Sequence, residues 1–291
     1  MASNLKYLVP NLITLSSLCL GVTSITLAAR GELYHALWLA LLCTLLDKFD
    51  GSTARKLKAT SSFGVEMDSL ADVVAFGVTP AVLVYLAVIR FSPHFSGDWH
   101  WVALAASLFY AAASALRLAK FNVIAQSGEF NQVFQGFPMP VAAGLVVTPL
   151  ILLCKYFEPS GYTAHFADFR WAGLLSASDG QHALFSWMVP MTALIAYGMI
   201  SPLKVPKLLI PRTPFLRWWV LVHALVMYLF ILTRTSPEVL LYIGYQFVAI
   251  SFYFSWKLHG EPGAASVPLL TAMTYQLEFK RKEDTDFSEK Q

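Results

Sequence analysis

The sequence predicts an all-α fold, a polytopic bundle of about eight transmembrane helices, and three observations lead there. Hydrophobic residues make up 56% of the 291-residue chain and charged residues only 13%, where soluble domains carry roughly a quarter charged. The apolar residues gather into runs near the roughly 20 residues that cross a bilayer. Within this apolar chain, four carboxylates, Asp47, Asp50, Asp68 and Asp72, fall inside one short stretch, DKFDGSTARKLKATSSFGVEMDSLAD (47–72).

Other chemistries find little support. The net charge of +3 is too mild to argue for nucleic acid. Cys19, Cys43 and Cys154 stand isolated in apolar runs and suggest neither a disulfide framework nor a zinc site. The seven histidines form no HExxH-like pair. The first apolar run lacks a small-residue cleavage site, so it is expected to remain as a membrane span.

The expected spans are 8–29, 33–52, 69–91, 99–120, 137–157, 185–203, 214–233 and 236–256, with six and seven spans as alternatives. Pro10 suits a first-turn position. Pro80, Pro149 and Pro190 fall inside spans, where kinks or local packing must accommodate them. The connection 158–184 is the longest outside the membrane and is expected to hold a short interfacial helix at 166–175. Residues 258–291 form a polar tail, so 1–257 is the expected transmembrane catalytic domain. With the N-terminus inside, sixteen Lys and Arg residues fall on the cytoplasmic side against five outside. The positive-inside rule therefore places both termini and the acid-rich stretch on the cytoplasmic face.

Carboxylates at membrane depth are costly and usually face a protein interior or a cavity where a cation offsets them. Asp47 and Asp50, at i and i+3, share one helical face; Asp68 and Asp72, at i and i+4, share another. Leu33–Leu46 spans roughly 21 Å at 1.5 Å per residue, which sets Asp47 and Asp50 below the headgroups but near one surface. Two helices presenting two acids each can enclose one or two hard divalent cations. Such a site is open to the aqueous phase and laterally to lipid, and it suits chemistry that joins a water-soluble molecule to a lipid. The bland alternative is an ion pathway or proton relay in a transporter.

The pattern Asp47-x2-Asp50-Gly51-x2-Ala54-Arg55-x8-Gly64-x3-Asp68-x3-Asp72 resembles the signature of the CDP-alcohol phosphotransferase family without departure. The resemblance implies transfer of a phosphoalcohol group from a CDP-alcohol to an acceptor hydroxyl with release of CMP. It implies a divalent-metal site, Mg²⁺ or Mn²⁺, on Asp47, Asp50, Asp68 and Asp72, with Asp72 as general base. Gly51, Ala54, Arg55 and Gly64 are the CDP-binding candidates. Small Gly51 and Ala54 let a nucleotide approach the helix backbone, Arg55 offers a planar fork to phosphate, and Gly64 frees the backbone near the next span. Family members are commonly dimers, so a homodimer is one option, which no sequence feature selects.

Beyond the signature, residues 64–81, LRLAKFNV (116–123), FQGFPMPVAA (134–143) and, more loosely, MISPLKVPK (199–207) resemble the membrane-integral phosphatidylserine synthase branch of that family. That likeness implies CDP-diacylglycerol and L-serine as substrates; glycerol 3-phosphate or an inositol phosphate is the alternative acceptor. Arg117 and Lys120 are candidates for the acceptor carboxylate or a lipid phosphate. Their alternative reading is that of snorkelling basic residues at a helix end. Glu66 could face lipid headgroups, solvent or the serine ammonium, while Asn11 and Thr14 could contact cytidine or bond within the bundle.

Overall fold

The computed structural model describes residues 2–59, 61–126, 133–157, 178–206 and 214–257. Its helices, in order, are α1 (Ala2–Ala29), α2 (Leu33–Lys56), α3 (Ser62–Asp72), α4 (Thr79–Phe91), α5 (Pro93–Ser96), α6 (His100–Gln126), α7 (Met139–Phe157), α8 (Ser178–Ile200), α9 (Pro214–Thr233) and α10 (Pro237–Lys257). A π-helical turn, Val73–Val78, joins α3 to α4 in one rod. The expected third span therefore begins earlier than its apolar run, at Ser62, because Ser61 caps the helix by accepting a hydrogen bond from the Gly64 N–H at 3.0 Å.

Among the described residues, five helices are long and apolar enough to cross a membrane: Tyr7–Ala29, Ser62–Phe91, His100–Val123, Met139–Tyr156 and Ala183–Ile200. These are five of the eight expected spans. The other three runs also lie on helices, α2, α9 and α10, and the count of eight spans is not confirmed among the described residues. Asp47, Lys48 and Asp50 interrupt the apolar run of α2; α9 and α10 run for 20 and 21 residues, and Leu221–Thr233 is an apolar stretch of α9 among the described residues.

Helix α8 begins at Ser178, within the expected 158–184 connection, and its span-length apolar part at Ala183. The remainder, including 166–175, and the tail 258–291 lie outside the described residues.

Lipid tails are as apolar as leucine, so helices associate in a membrane through close packing and hydrogen bonds rather than through hydrophobic burial. The core follows that rule. Ala36, Ala40, Ala81, Ala87, Ala103, Ala106, Ala113, Ala142 and Ala196 are all buried, and they let the backbones approach around Trp38, Tyr110, Leu37, Leu83 and Leu150. Helices α1 and α2 form a hairpin about Gly31, whose φ of 95° suits glycine. The hairpin is fastened at three depths. Ser24 Oγ donates to the Ala36 carbonyl at 2.7 Å, Cys43 Sγ to the Ser17 carbonyl at 3.4 Å, and Thr14 Oγ1 to Asp50 Oδ2 at 2.8 Å.

One feature that the helical periodicity did not predict is a two-stranded antiparallel ribbon pairing β1 (Val133–Gln135) with β2 (Lys204–Pro206). Gly136 follows it with φ 72°, and a Cβ there would sit 2.0 Å from the Met199 carbonyl oxygen, so only glycine fits. At the opposite end of the bundle the Arg90 guanidinium donates to the Gly31 carbonyl, and Lys155 pairs with Glu238 at 2.6 Å, tying α7 to α10.

Candidate active site

Three of the four signature acids converge. One carboxylate oxygen from each of Asp47, Asp50 and Asp68 lies within 4.8 Å of the others. Helix α2, which ends at Lys56, supplies the first two from one face, and α3, which starts at Ser62, brings Asp68 back to their depth. Asp50 is buried, Asp47 and Asp68 half-buried. Asp50 is held from two sides, by the Thr14 hydroxyl of α1 and by the Gly51 backbone N–H. Thr14 thus makes one bond within the bundle. Its hydroxyl also reaches the Pro10 carbonyl at 3.1 Å.

The donor set fits a hard divalent cation. Metal–oxygen bonds run about 2.0–2.6 Å, so two of them span about 4–5 Å, which matches carboxylate oxygens no more than 4.8 Å apart. Asp72, one helical turn beyond Asp68, stands outside that three-acid set. It remains within electrostatic reach of Asp47, Asp68 and Asp50, and of the Arg117 guanidinium on α6.

The spacer residues of the signature meet at one place. Gly51, Ala54, Arg55 and Gly64 line a single cleft of ≈ 170 Å³ together with Asp50 and Asp68. Asn11 and Thr14 of α1 form its third wall. Space at Gly64 is tight: a Cβ there would meet Ser61 Oγ at 3.1 Å and Asn11 Oδ1 at 3.2 Å. Asp50 and Asp68 line the cleft together with apolar Val65, and Leu12 and Phe63, next in sequence to the lining residues Asn11 and Gly64, are exposed. A ligand with a charged head and apolar tails matches that division.

Arg117 does not snorkel. Its side chain is 9% exposed, it faces Asp72, and its Nε has no hydrogen-bond partner among the described residues. Lys120, one turn on, is half-buried and within electrostatic reach of Arg117. Between them and the acids, Asn122 Nδ2 donates to Ser69 Oγ at 3.1 Å and ties the end of α6 to α3. Glu66 is exposed and lies outside the cleft, which leaves it to solvent or headgroups.

Three site features escaped the sequence reading. Ser61 shapes the mouth of the cleft, and its signal was present as an N-cap serine ahead of an apolar run. Tyr228 of α9 lies within electrostatic reach of Asp47. The π-turn follows Asp72 directly. The last two arise from packing between distant segments and leave no local pattern.

The CDP-alcohol phosphatidyltransferase family model matches residues 7–178. Among curated proteins, the CDP-diacylglycerol–serine O-phosphatidyltransferase of Helicobacter pylori is 40% identical over 163 residues, covering 56% of this chain and 65% of that protein. The protein of the same name from Mycobacterium tuberculosis is 31% identical over 228 residues, 76% of each chain. An archaetidylserine synthase of Methanothermobacter thermautotrophicus is 36% identical over 153 residues, 52% of this chain and 60% of that one. The matched region holds every signature acid and the whole cleft; α9 and α10 lie beyond the family match.

Proposed function

The chain belongs to the CDP-alcohol phosphatidyltransferase family, and from that premise we propose that it transfers the phosphatidyl group of CDP-diacylglycerol to the hydroxyl of L-serine. The products are phosphatidylserine and CMP. The observation that carries this reading is that Gly51, Ala54, Arg55 and Gly64 line one cleft together with Asp50 and Asp68 of the acid cluster. A bare ion pathway gives no reason for those four residues to meet. The likeness to proteins named for serine transfer supports the choice of acceptor.

In this reading the cleft holds the cytidine diphosphate head, with small Gly51 and Ala54 admitting it and Arg55 offering its guanidinium to phosphate. Asp47, Asp50 and Asp68, with Asp72 beside them, would hold one or two Mg²⁺ or Mn²⁺ ions. When bound, such an ion neutralises charge on the diphosphate as the bond to CMP breaks. Thr14 fixes the orientation of Asp50. Asp72 accepts the proton of the serine hydroxyl, the serine oxygen forms a bond to the phosphorus that bears diacylglycerol, and the bond from that phosphorus to the CMP oxygen breaks. Arg117, buried with an unfilled Nε, binds the serine carboxylate, assisted by Lys120. The acyl chains remain in the bilayer, and the cleft opens to the cytoplasm.

The test is CMP release by the purified full chain, given CDP-diacylglycerol and, in turn, labelled L-serine, glycerol 3-phosphate and inositol phosphate. Labelled lipid is expected with serine. Labelled lipid formed only with another acceptor would overturn the serine assignment, and no CMP release with any acceptor would overturn the transferase reading.

A further inference from the structure

The rod that carries Asp68 and Asp72 is not a continuous α-helix. Immediately after Asp72 it widens into the π-turn Val73–Val78, and the Thr79 N–H reaches back five residues to the Val74 carbonyl. The cause is legible in the chain. In an α-helix the Phe76 carbonyl would accept from the N–H of residue 80, and residue 80 is proline, which has no N–H and crowds the carbonyl four residues before it. A carbonyl orphaned at membrane depth must find another donor. It finds the phenol of Tyr110, a fully buried residue of α6, which donates to Phe76 at 3.2 Å. Gly77 lets the widened turn press against α6, since a Cβ there would meet Ser114 Cβ at 3.1 Å.

The widened turn changes which way the acids point. On α4 the buried face includes Pro80, Leu83, Val84, Ala87 and Val88. At about 100° per residue, an unbroken α-helix would leave Asp72 about 120° and Asp68 about 160° from Val84 around the axis. A π-turn absorbs about one extra residue, or roughly 100° of rotation. The two acids then fall about 20° and 60° from Val84, on the inward side of the bundle where α2 holds Asp47 and Asp50.

We propose that this π-turn, held by the Tyr110 hydroxyl, sets the rotational phase of Asp68 and Asp72, and that Tyr110 is therefore a positioning residue for the acid cluster. Tyr110 acts through the Phe76 carbonyl and touches neither acid. The geometric part stands on the backbone; its consequence for turnover rests on the phosphatidyl-transfer reading.

The experiment compares the full chain in detergent with Tyr110→Phe, which keeps the ring and removes the donor. Two quantities are read: Mn²⁺ affinity by electron paramagnetic resonance, and kcat against KM for CMP release. Losing the one buried hydrogen bond that sets the phase of Asp68, a member of the three-acid set, is expected to weaken Mn²⁺ binding by roughly tenfold. It should lower kcat by a similar factor with KM for serine little changed. Thr192→Val, which removes another fully buried hydroxyl away from the site, is expected to leave both quantities at wild-type values. Pro80→Ala restores a backbone donor for Phe76 and lets the turn relax towards α-helix, so it too should weaken Mn²⁺ binding. Combined with Tyr110→Phe, its effect should be less than multiplicative, because both act through one carbonyl. Wild-type Mn²⁺ affinity in Tyr110→Phe would overturn the proposal, and so would fully multiplicative effects. If Tyr110→Phe fails to fold by circular dichroism, unchanged Mn²⁺ affinity in Pro80→Ala overturns it instead. A wild-type chain that binds Mn²⁺ but releases no CMP sinks the transferase reading alone, and the affinity comparison still decides the role of Tyr110.

Discussion

Asp72 and Thr14 relate to the acid cluster in different ways, so their variants separate chemistry from assembly. Asp72 lies outside the three acids within 4.8 Å of one another. Asp72→Asn removes the proton acceptor while keeping the shape, and turnover is expected to fall by about 10²–10⁴-fold. Mn²⁺ affinity should change far less; a variant that keeps appreciable turnover would remove Asp72 from the role of base. Thr14 touches the cluster only through its 2.8 Å hydrogen bond to Asp50. Thr14→Val is nearly isosteric, yet it leaves a buried carboxylate short of a donor. Loss of such an outer partner costs about 10–100-fold in metal affinity, and titration with Mn²⁺ reads it directly. Unchanged affinity would reduce Thr14 to a packing residue. The acids were legible from i,i+3 and i,i+4 spacing because a helix places such residues on one face whatever surrounds it. Thr14 was legible only as a polar residue in an apolar run, since the hydrogen bond joins residues 36 positions apart.

At the level of elements, the cleft is the space that three helices leave between them, and its width depends on side chains that are missing. Helix α3 starts at a serine cap, and Gly64, in its first turn, faces both that cap and Asn11 of α1. Gly64→Ala would press a methyl group against Ser61 Oγ and Asn11 Oδ1 at little more than 3 Å. Overpacking of that kind costs about 1–3 kcal/mol, and here the strain falls on the wall of the cleft. The expected outcome is a KM for CDP-diacylglycerol raised about tenfold with kcat nearly preserved. An unchanged KM would show that the nucleotide does not use this wall. The glycine was legible by its position in the signature, but its neighbours were not, because Asn11 reaches it from another helix. The π-turn marks the same boundary. Pro80 announces that the rod cannot continue as a regular helix, while the form of the departure depends on Tyr110, which bonds Phe76 from 34 positions away in sequence. The β1–β2 ribbon is the extreme case: three-residue strands about 70 positions apart carry no periodicity of their own.

For the molecule as a whole, the hydrogen bonds fix which connections share an end, and charge then assigns each end to a side. The Arg90 contact with the Gly31 carbonyl puts the α1–α2 turn and the end of α4 together. The Asn122–Ser69 bond puts the end of α6 beside the start of α3, and hence beside the cleft. Lys48, Arg55, Lys56, Lys58, Arg117 and Lys120 gather at that second end, while Arg30 and Arg90 lie at the first. The positive-inside rule counts Lys and Arg near the span ends and places the basic end in the cytoplasm. That side is also where a water-soluble nucleotide could leave the cleft. The prediction is a labelling pattern. In a background with Cys19, Cys43 and Cys154 replaced by alanine, Gly97→Cys lies in open space between α5 and α6, and Lys56→Cys is exposed at the end of α2. A membrane-impermeant maleimide applied to intact cells should modify residue 97 and spare residue 56 until the membrane is permeabilised. The reverse pattern would turn the bundle over and place the cleft on the side where the positive-inside rule disfavours it. Labelling of both residues before permeabilisation would show that the α2 end is not screened by the bilayer at all.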